Sequence, residues 1–494
     1  MTLFSRKSLL ILGGVVLVGG GAVGYVLHGN PSDQPITLFE GHNPKIVDPQ
    51  PEKIPSLGLV KSIGWGAGEA PKPAQGLTVT RFAEGLAHPR TMLTLPNGDV
   101  LVSLTGAPKE AAGGGFMGWA AKIVMGMVGA GEPSANQIVL LRDAKGAGKA
   151  DQRFTLLQAG LDSPSGLAVG NGKLYVANHN AVLAYDFTPG QTAITTAPKK
   201  LMDLPAGGNH WMRNLLLSPD GKKLYVAIGS ASNIGEGGPQ AEQGRAAIYE
   251  INTDTGSHRQ YAAGLRNPNG LGWNPSTGEM WVTVNERDQL GPDLVPDYLT
   301  NVPVGAHYGW PWFYWGKTED NRVYDKTPQY QMPEFLIDYV RKPEYGLGPH
   351  VAALGMTFAT GGGRLGAAYA NGAFIARHGS WNRKPAVGYD VVFVGFDANG
   401  TPVGKPQPVL TGFLNGEGQT HGRPTWVSFA QDGALLVSDD TAGIIWRVIA
   451  PGAAPAPAPK AIVAPPIPPQ RDLNSDPERR LRLQMREMQQ MRQN

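Results

Sequence analysis

The sequence predicts an all-β fold, a six-bladed β-propeller, on the strength of a repeated unit and the turns that separate its strands. The unit is a polar turn, a short apolar strand, a Gly-bearing turn and an alternating strand that ends in polar residues. Self-similarity at intervals of roughly 45 to 90 residues is typical of blades that carry insertions of variable length. Six copies are recognisable, at residues 88–103, 163–178, 209–229, 266–284, 354–379 and 422–440.

The composition agrees with this fold class and limits the chemistry. Of 494 residues, 67 are Gly and 42 are Pro, which suits a chain of short strands joined by many turns. The net charge of +3 is too small, and too evenly spread, to indicate a nucleic-acid-binding protein. The chain contains no cysteine, which excludes disulfides, thiolate zinc sites and a cysteine nucleophile.

Residues 1–30 predict a membrane anchor or a signal peptide. Arg6 and Lys7 precede an apolar run over residues 9–27, close to the ~20 residues that span a bilayer. We favour an uncleaved anchor in the inner membrane, because the run is long for a signal peptide and no clear cleavage site follows it. In either case the body of the protein is exported, and we expect it in the periplasm.

The remaining chain divides into a tether, the propeller and a tail. Residues 31–76 are Pro-rich and irregular, and we interpret them as a tether that leads to a propeller at residues 77–450. Strand-like residues 78–82 and 443–448 stand at the two ends of that body. We expect these terminal strands to share one blade, since this closes the ring and removes an exposed sheet edge.

An insertion in the first repeat and the C-terminal tail each allow two interpretations. Residues 107–135 contain apolar side chains at helical spacing, which indicates either a small packed helix or a lip that contacts membrane or quinone. Residues 451–475 form a Pro/Ala-rich linker. Residues 476–494 predict a short basic amphipathic helix, either solvated or bound to an anionic membrane or a partner.

Polar side chains recur at matching positions of the repeats and predict a single site. The innermost strand of each blade lines the central channel, so the turns that precede these strands meet at one mouth. A mouth rich in Arg, His and Asn suits an anionic ligand. The candidates are His88, Arg90, Ser163, Ser165, Asn209, His210, Arg266, Asn267, Asn269, His421 and Arg423 in the turns, with Asn178, Glu286, Asp288, His378 and Asp439 at strand ends.

Several segments resemble the glucose/sorbosone dehydrogenase family, most closely its L-sorbosone dehydrogenase branch. They are GLRNPNGL at residues 264–271, NERDQLGPDLVPDYLT at residues 285–300, HYGWPW at residues 307–312, ARHGSWNR at residues 376–383 and GRPTWVSFAQDGALLVSDDTAGIIWRV at residues 422–448. The resemblance implies a six-bladed propeller, the cofactor pyrroloquinoline quinone (PQQ) and calcium. It also implies oxidation of a sugar or a sugar-derived alcohol or aldehyde, such as sorbosone, by hydride transfer.

The resemblance assigns the catalytic base and the residues beside the quinone. His210 stands at the position of the base, and histidine has a suitable pKa for removing a hydroxyl proton. Arg266 and Asn267 match the pair beside the quinone, and Asn269 is a nearby polar position. We therefore predict His210 and Arg266 as catalytic residues, with Arg266, Asn267 and Asn269 also binding the cofactor.

Further positions concern the carboxylates of the cofactor. Arg423 matches an arginine that binds one of them. His421 stands where related enzymes have another arginine, and His378 falls near a lysine position. We include all three in the predicted cofactor site, although neither histidine is permanently charged.

The predicted metal ligands also depart from the family pattern. Related enzymes bind calcium through carbonyl groups of a Gly-Pro turn, whereas this chain has Glu286, Arg287 and Asp288 there. Oxygen ligands suit calcium, so we predict Glu286 and Asp288 as metal ligands. Calcium would act as a Lewis acid on the quinone, and Arg287 offers an alternative cation.

Two other functions stay open. A calcium-dependent lactonase or other hydrolase would use the same carboxylates to hold a metal that activates water. A propeller that only binds a ligand would need no base. For the dehydrogenase, the expected partners are a small sugar or aldehyde substrate and an electron acceptor, either a quinone or a cytochrome.

Overall fold

The structure is a computed structural model that describes residues 31–52, 57–58, 60–108, 133–326, 331–359 and 363–454. The predicted anchor at residues 1–30, the helical part of the insertion at residues 107–135 and the predicted C-terminal helix at residues 476–494 lie outside these ranges. Within them, no helix combines the length and the apolar character needed to cross a bilayer.

Twenty-eight strands make up almost all of the regular structure in the described ranges. The first half comprises β1 (Glu40–Gly41), β2 (Lys72–Pro73), β3 (Thr78–Ala83), β4 (Pro89–Thr94), β5 (Val100–Leu104), β6 (Gln137–Arg142), β7 (Gln152–Leu157), β8 (Gly166–Gly170), β9 (Lys173–Ala177), β10 (Ala181–Asp186), β11 (Lys199–Asp203), β12 (Arg213–Leu217), β13 (Lys223–Ile228) and β14 (Ala247–Asn252). The second half comprises β15 (His258–Ala263), β16 (Asn267–Trp273), β17 (Met280–Asn285), β18 (Pro296–Asn301), β19 (Phe313–Tyr314), β20 (Thr318–Glu319), β21 (Tyr345–Pro349), β22 (Ala353–Phe358), β23 (Gly372–Arg377), β24 (Asp390–Phe396), β25 (Pro402–Thr411), β26 (Pro424–Phe429), β27 (Leu435–Asp439) and β28 (Ile444–Ile449).

Twenty-four of these strands form six antiparallel blades, which confirms the predicted six-bladed propeller. Blades 1, 2 and 3 are β4–β7, β8–β11 and β12–β15. Blade 4 is β16, β17, β18 and β21, and blade 5 is β22–β25. Blade 6 is β26, β27, β28 and β3. The first strand of each blade contacts the first strands of both neighbouring blades, so these six strands surround the central axis.

The ring closes in blade 6, as the sequence predicted. Strand β3, from the start of the body, pairs antiparallel with β28 from its end, with Val79 opposite Val448. The pairing gives the outer edge of β28 a partner and joins the two ends of the ring through main-chain hydrogen bonds.

Burial between stacked blades explains the strand sequences. A middle strand is covered on both faces by neighbouring blades, and every residue of β5 is buried. Outer strands face solvent, and the first two residues of β7, Gln152 and Arg153, are correspondingly polar and exposed. The apolar side chains meet in clusters between blades, and the cluster between blades 5 and 6 contains the fully buried Trp446.

Residues 31–76 pack more closely than the predicted tether. Strand β1 pairs with β21 on the outer edge of blade 4, and β2 pairs with β25 on blade 5. The Glu40 carboxylate accepts a hydrogen bond of 2.6 Å from the Arg377 guanidinium in blade 5. The segment therefore joins two blades. The sequence did not predict this, because strands of two residues are too short to show an alternating pattern.

A long insertion separates β18 from β21 in blade 4. It contains the β19–β20 hairpin and the short helices α1 (Arg322–Lys326) and α2 (Leu336–Tyr339). Short 3₁₀ turns occur at Ile36–Phe39, Gly363–Leu365 and Ala367–Tyr369. The Trp310 indole in this insertion donates to the backbone oxygen of Asn233 in the loop after β13, so the insertion contacts blade 3.

Candidate active site

The predicted polar positions from several blades meet at one mouth of the channel. The Arg90 guanidinium, from blade 1, lies 3.1 Å from the Met212 sulfur and stacks over the Trp211 ring of blade 3. In the opposite direction Arg90 reaches Asp440 of blade 6 at 2.8 Å. Asp440 in turn contacts His378 of blade 5 at 3.0 Å. Side chains from widely separated parts of the chain therefore share one rim.

His210 is held in the tautomer that a general base requires. Its Nδ1 lies 2.8 Å from the Ser230 carbonyl oxygen. A carbonyl only accepts, so Nδ1 carries the proton and Nε2 keeps its lone pair. Burial, reinforced by the positive charge of Arg266, lowers the pKa of His210 to about 3. The imidazole is therefore neutral at pH 7 and can accept a proton, and the residue keeps part of its surface exposed.

A glycine brings His210 and Asn267 together. A Cβ at Gly229 would collide with the Asn267 side-chain oxygen and with the Cβ of His210. Asn269 is buried beneath this contact and donates to the Asn267 backbone oxygen at 3.0 Å. Asn267 is only partly buried, so its amide is available beside the base.

Arg266 is buried, and its hydrogen bonds stay within the protein. Its guanidinium donates to Asn233, Asn285, Glu286 and Asp288 through five hydrogen bonds, the longest of them 3.5 Å. These bonds use the full donor capacity of an arginine side chain. No donor of Arg266 is left over for a direct bond to a cofactor carboxylate.

The two predicted metal ligands have different partners. The Asp288 carboxylate pairs with Arg266 at 3.0 Å and lies 3.5 Å from His350. Burial alone would raise the pKa of Asp288, but Arg266 and His350 outweigh it and hold the pKa at about 2. The Glu286 carboxylate is buried instead on the Arg287 guanidinium, at 3.0 Å.

Arginine and histidine side chains surround Asp440, a residue that the sequence did not predict for the site. Arg90 and His378 contact it directly, and His88 lies 3.9 Å away. Burial would raise the pKa of Asp440, but His378 and Arg90 hold it well below its usual range. Burial and the neighbouring Arg423 lower the pKa of His378 to about 4, so His378 is a neutral donor at pH 7.

This Asp440 cluster retains unused hydrogen-bonding capacity. Within the described ranges, the buried atoms His88 Nδ1 and Arg90 Nε have no hydrogen-bond partner. Arg423 is buried behind them and donates through Nε and Nη2 to the backbone oxygens of His378 and Gly379, each at 3.1 Å. Buried donors without a partner are rare in folded proteins and indicate a place for a ligand or water.

His421 faces the N-terminal segment. Its Nδ1 lies 2.7 Å from the Gly64 carbonyl oxygen, and its ring stacks on Trp65 at 4.8 Å. Asp439 also turns toward this segment and accepts a bond of 2.9 Å from the Trp65 indole. Segment 60–69 therefore takes up two of the predicted polar positions of blade 6.

Two of the predicted polar positions of blade 2, Ser165 and Asn178, have structural partners. The Ser165 hydroxyl donates to the Arg213 carbonyl at 3.1 Å and joins blades 2 and 3. The Asn178 amide donates to the Gly160 carbonyl at 2.9 Å. Asn209, before blade 3, is exposed, and the buried Ser163 hydroxyl has no hydrogen-bond partner among the described residues.

Several residues of the mouth were missed by sequence reasoning. Asn233 and Asn382 contact Asp288 from loops that carry no repeat signal. Trp381, beside Asn382, keeps 41% of its surface exposed. Asp440 could have been found, because neighbouring residues at a strand end point to opposite sides and Asp439 was already a candidate.

Comparison with known proteins relates the chain to one family. A family model described as TrAA12-like matches residues 134–301 and 334–450. An uncharacterized protein of Borreliella burgdorferi is 29% identical over 305 residues, which cover 58% of this chain and 76% of that protein.

Solved structures share the fold. A Trichoderma reesei protein of carbohydrate-active enzyme family AA12 matches with a TM-score of 0.60 and 22% identity, covering 77% of this chain and 98% of its own. The holo form of the pyranose dehydrogenase PQQ domain from Coprinopsis cinerea matches with a TM-score of 0.59 and 21% identity, covering 79% and 100%.

Proposed function

We propose that this protein, which belongs to the TrAA12-like family, is a PQQ-dependent oxidoreductase that oxidises a sugar or a sugar-derived alcohol or aldehyde. The observation that carries the proposal is the mouth of the channel. A neutral histidine with a free Nε2 stands at one side of it, and a group of guanidinium and imidazole donors stands at the other.

The Asp440 cluster fits a cofactor that carries carboxylates. His88 and Arg90 have buried atoms without partners, and Arg423 lies directly behind His378. Charge-assisted bonds from such donors are the strong kind, and Trp211 offers an aromatic face beside them. When bound, PQQ would supply a two-electron oxidant that accepts hydride. We assign Arg90, Arg423, His88 and His378 to hold it.

His210 performs the proton transfer. As the C–H electron pair of the substrate leaves as hydride, Nε2 of His210 accepts the hydroxyl proton, and the alcohol carbon becomes a carbonyl carbon. The imidazolium that forms then releases its proton to water. Asn267, which Gly229 allows to approach His210, is positioned to orient the hydroxyl group.

Calcium does not fit the ligands that the sequence suggested. Glu286 is committed to Arg287, and Asp288 is committed to Arg266. We therefore derive no step through a metal. The PQQ domain of a pyranose dehydrogenase among the fold relatives supports pyranoses as first substrates to try, together with sorbosone.

Quinone binding and dye reduction test the proposal. PQQ titrated into the purified protein should quench tryptophan fluorescence with saturation, because Trp211 and Trp381 lie at the mouth. Addition of aldoses or sorbosone with an artificial electron acceptor should then reduce the dye. Absence of saturable quinone binding would contradict the proposal and favour a propeller that only binds another ligand.

A further inference from the structure

The guanidinium of Arg266 sits in a nest of oxygen atoms that resembles a metal site. The oxygens are the backbone and side-chain oxygens of Asn233, the backbone oxygens of Asn285 and Glu286, and a carboxylate oxygen of Asp288. Carbonyl, amide and carboxylate oxygens are the ligands that calcium prefers. Here the guanidinium group of Arg266, a cation that belongs to the protein itself, already occupies the centre of these oxygen atoms.

Three carboxylates around Arg266 already have guanidinium partners. Glu286 and Asp320 both contact Arg287, at 3.0 and 3.3 Å. Asp320 also contacts Arg322 at 2.7 Å. Glu286, Asp288 and Asp320 thus each have a guanidinium partner, and a divalent cation placed among them would be repelled by three fixed positive charges.

Other side chains do not offer an alternative site nearby. Over the described ranges, no group of three or more His, Cys, Asp or Glu side chains is arranged to hold a metal ion. The loop that the resemblance equates with a calcium-binding turn is instead ordered by the hydrogen bonds of Arg266 and Arg322 to its carbonyl groups.

We propose that Arg266 takes the place of a divalent cation at this centre, so that the protein binds its cofactor and turns over without calcium. The inference rests on the proposed quinone-dependent oxidation and deepens it. Arg266 acts as a positioning residue, because it fixes Asp288 and the 285–288 loop and places a permanent positive charge near His210. Since its donors are all used by the protein, it acts through charge and order and makes no direct bond to a ligand.

Calcium titrations of the wild type and Arg266→Ala test the inference without any cofactor. Calcium should leave the Tm of the wild type unchanged. It should raise the Tm of R266A, because removal of the side chain opens the oxygen nest to a metal ion. Arg259→Ala serves as the control, since Arg259 lies on the outer strand β15 of blade 3 and pairs with Glu250. A calcium-dependent rise in the Tm of the wild type that Asp288→Asn abolishes would overturn the inference.

Two measurements keep the test decisive. If R266A does not fold, calorimetric titration of calcium into the wild type still decides, because binding heat that Asp288→Asn removes contradicts the inference. PQQ titrations with a chelator and with excess calcium should give the same Kd. Quinone binding that needs calcium would defeat this inference alone, whereas absence of quinone binding under both conditions would defeat the proposed function.

Discussion

At the scale of single residues, the low pKa of His210 determines how we expect kcat/KM to depend on pH. The base works only when unprotonated, and its lowered pKa keeps it unprotonated to lower pH than an ordinary histidine. We expect kcat/KM to stay level from neutral pH down to about pH 4 and to fall only below that, as His210 approaches its pKa of about 3. Measurement of kcat/KM over a range of pH, with a dye as electron acceptor, checks this. A decline in kcat/KM with a midpoint near pH 6.5 would contradict it.

Replacement of His210 gives the magnitude of its contribution. His210→Ala should lower kcat by ~10²–10⁴ while the Kd for PQQ changes little. His258→Ala, on an exposed outer strand, is the matched control and should be unaffected. Equal turnover of both variants would remove His210 from the mechanism.

The close approach of His210 and Asn267 depends on Gly229. Gly229→Ala should displace one of the two side chains, because the new Cβ collides with both. We expect kcat to fall roughly 10–100-fold, since small misplacements of reacting groups have large effects. Gly416→Ala is the control, because a Cβ there meets no atom within 4 Å. Unchanged kcat in G229A would show that this contact does not position the base.

Arg423 tests the placement of the cofactor. Arg423→Leu should weaken PQQ binding by about ten- to a hundredfold, the loss of one charge-assisted contact of ~1.5–3 kcal/mol. Arg423→Lys should recover part of it, since an ammonium cannot form a two-pronged bond. Arg153→Leu, an exposed arginine bonded to the Gly85 carbonyl, is the control. A lower Tm of R423L with unchanged Kd would mean that Arg423 only holds the carbonyls of residues 378 and 379.

At the scale of elements, β1 turns an irregular segment into part of the propeller. Glu40 of β1 contacts Arg377, which also pairs with Asp390 in blade 5. Glu40→Gln should lower the free energy of unfolding by ~1–3 kcal/mol, because a buried guanidinium loses one charged partner. The urea midpoint should fall with an unchanged m-value.

The control for this prediction is Glu84→Gln, which removes a surface partner of Arg81 and should change stability little. Equal urea midpoints for the two variants would show that residues 31–76 are a tether that does not stabilise the propeller, as the sequence suggested.

At the scale of the whole molecule, we predict that the N-terminal residues anchor the propeller rather than form part of it. Strand β3 completes blade 6, and residues 1–30 lie outside the part of the chain that the structure describes. We propose that residues 1–30 anchor the protein outside the cytoplasm. A chain that starts at Pro31 should therefore stay in solution without detergent and keep the Tm of the full-length protein. Membrane association of the shortened chain would move the predicted anchor to the insertion at residues 107–135 or to residues 476–494.

The sequence by itself determined the architecture, because a propeller is specified by local patterns of polar and apolar residues that repeat along the chain. Six polar turns followed by apolar strands specify six blades, and the strand-like residues at both ends of the body specify closure. The same repetition placed His210, Asn267 and Arg423 at the mouth, since equivalent positions in a propeller are brought together by symmetry.

The tertiary structure decided what these side chains do there. Whether Arg266 meets a ligand or the protein depends on Asn233, Asn285 and Asp288, which reach it from two different loops. Glu286 and Asp288 are two residues apart in the sequence, yet one is buried on Arg287 and the other pairs with Arg266. Hydrogen bonds between distant loops leave no periodic trace in a sequence, so the pairing of charges at this centre was decided by the folded molecule alone.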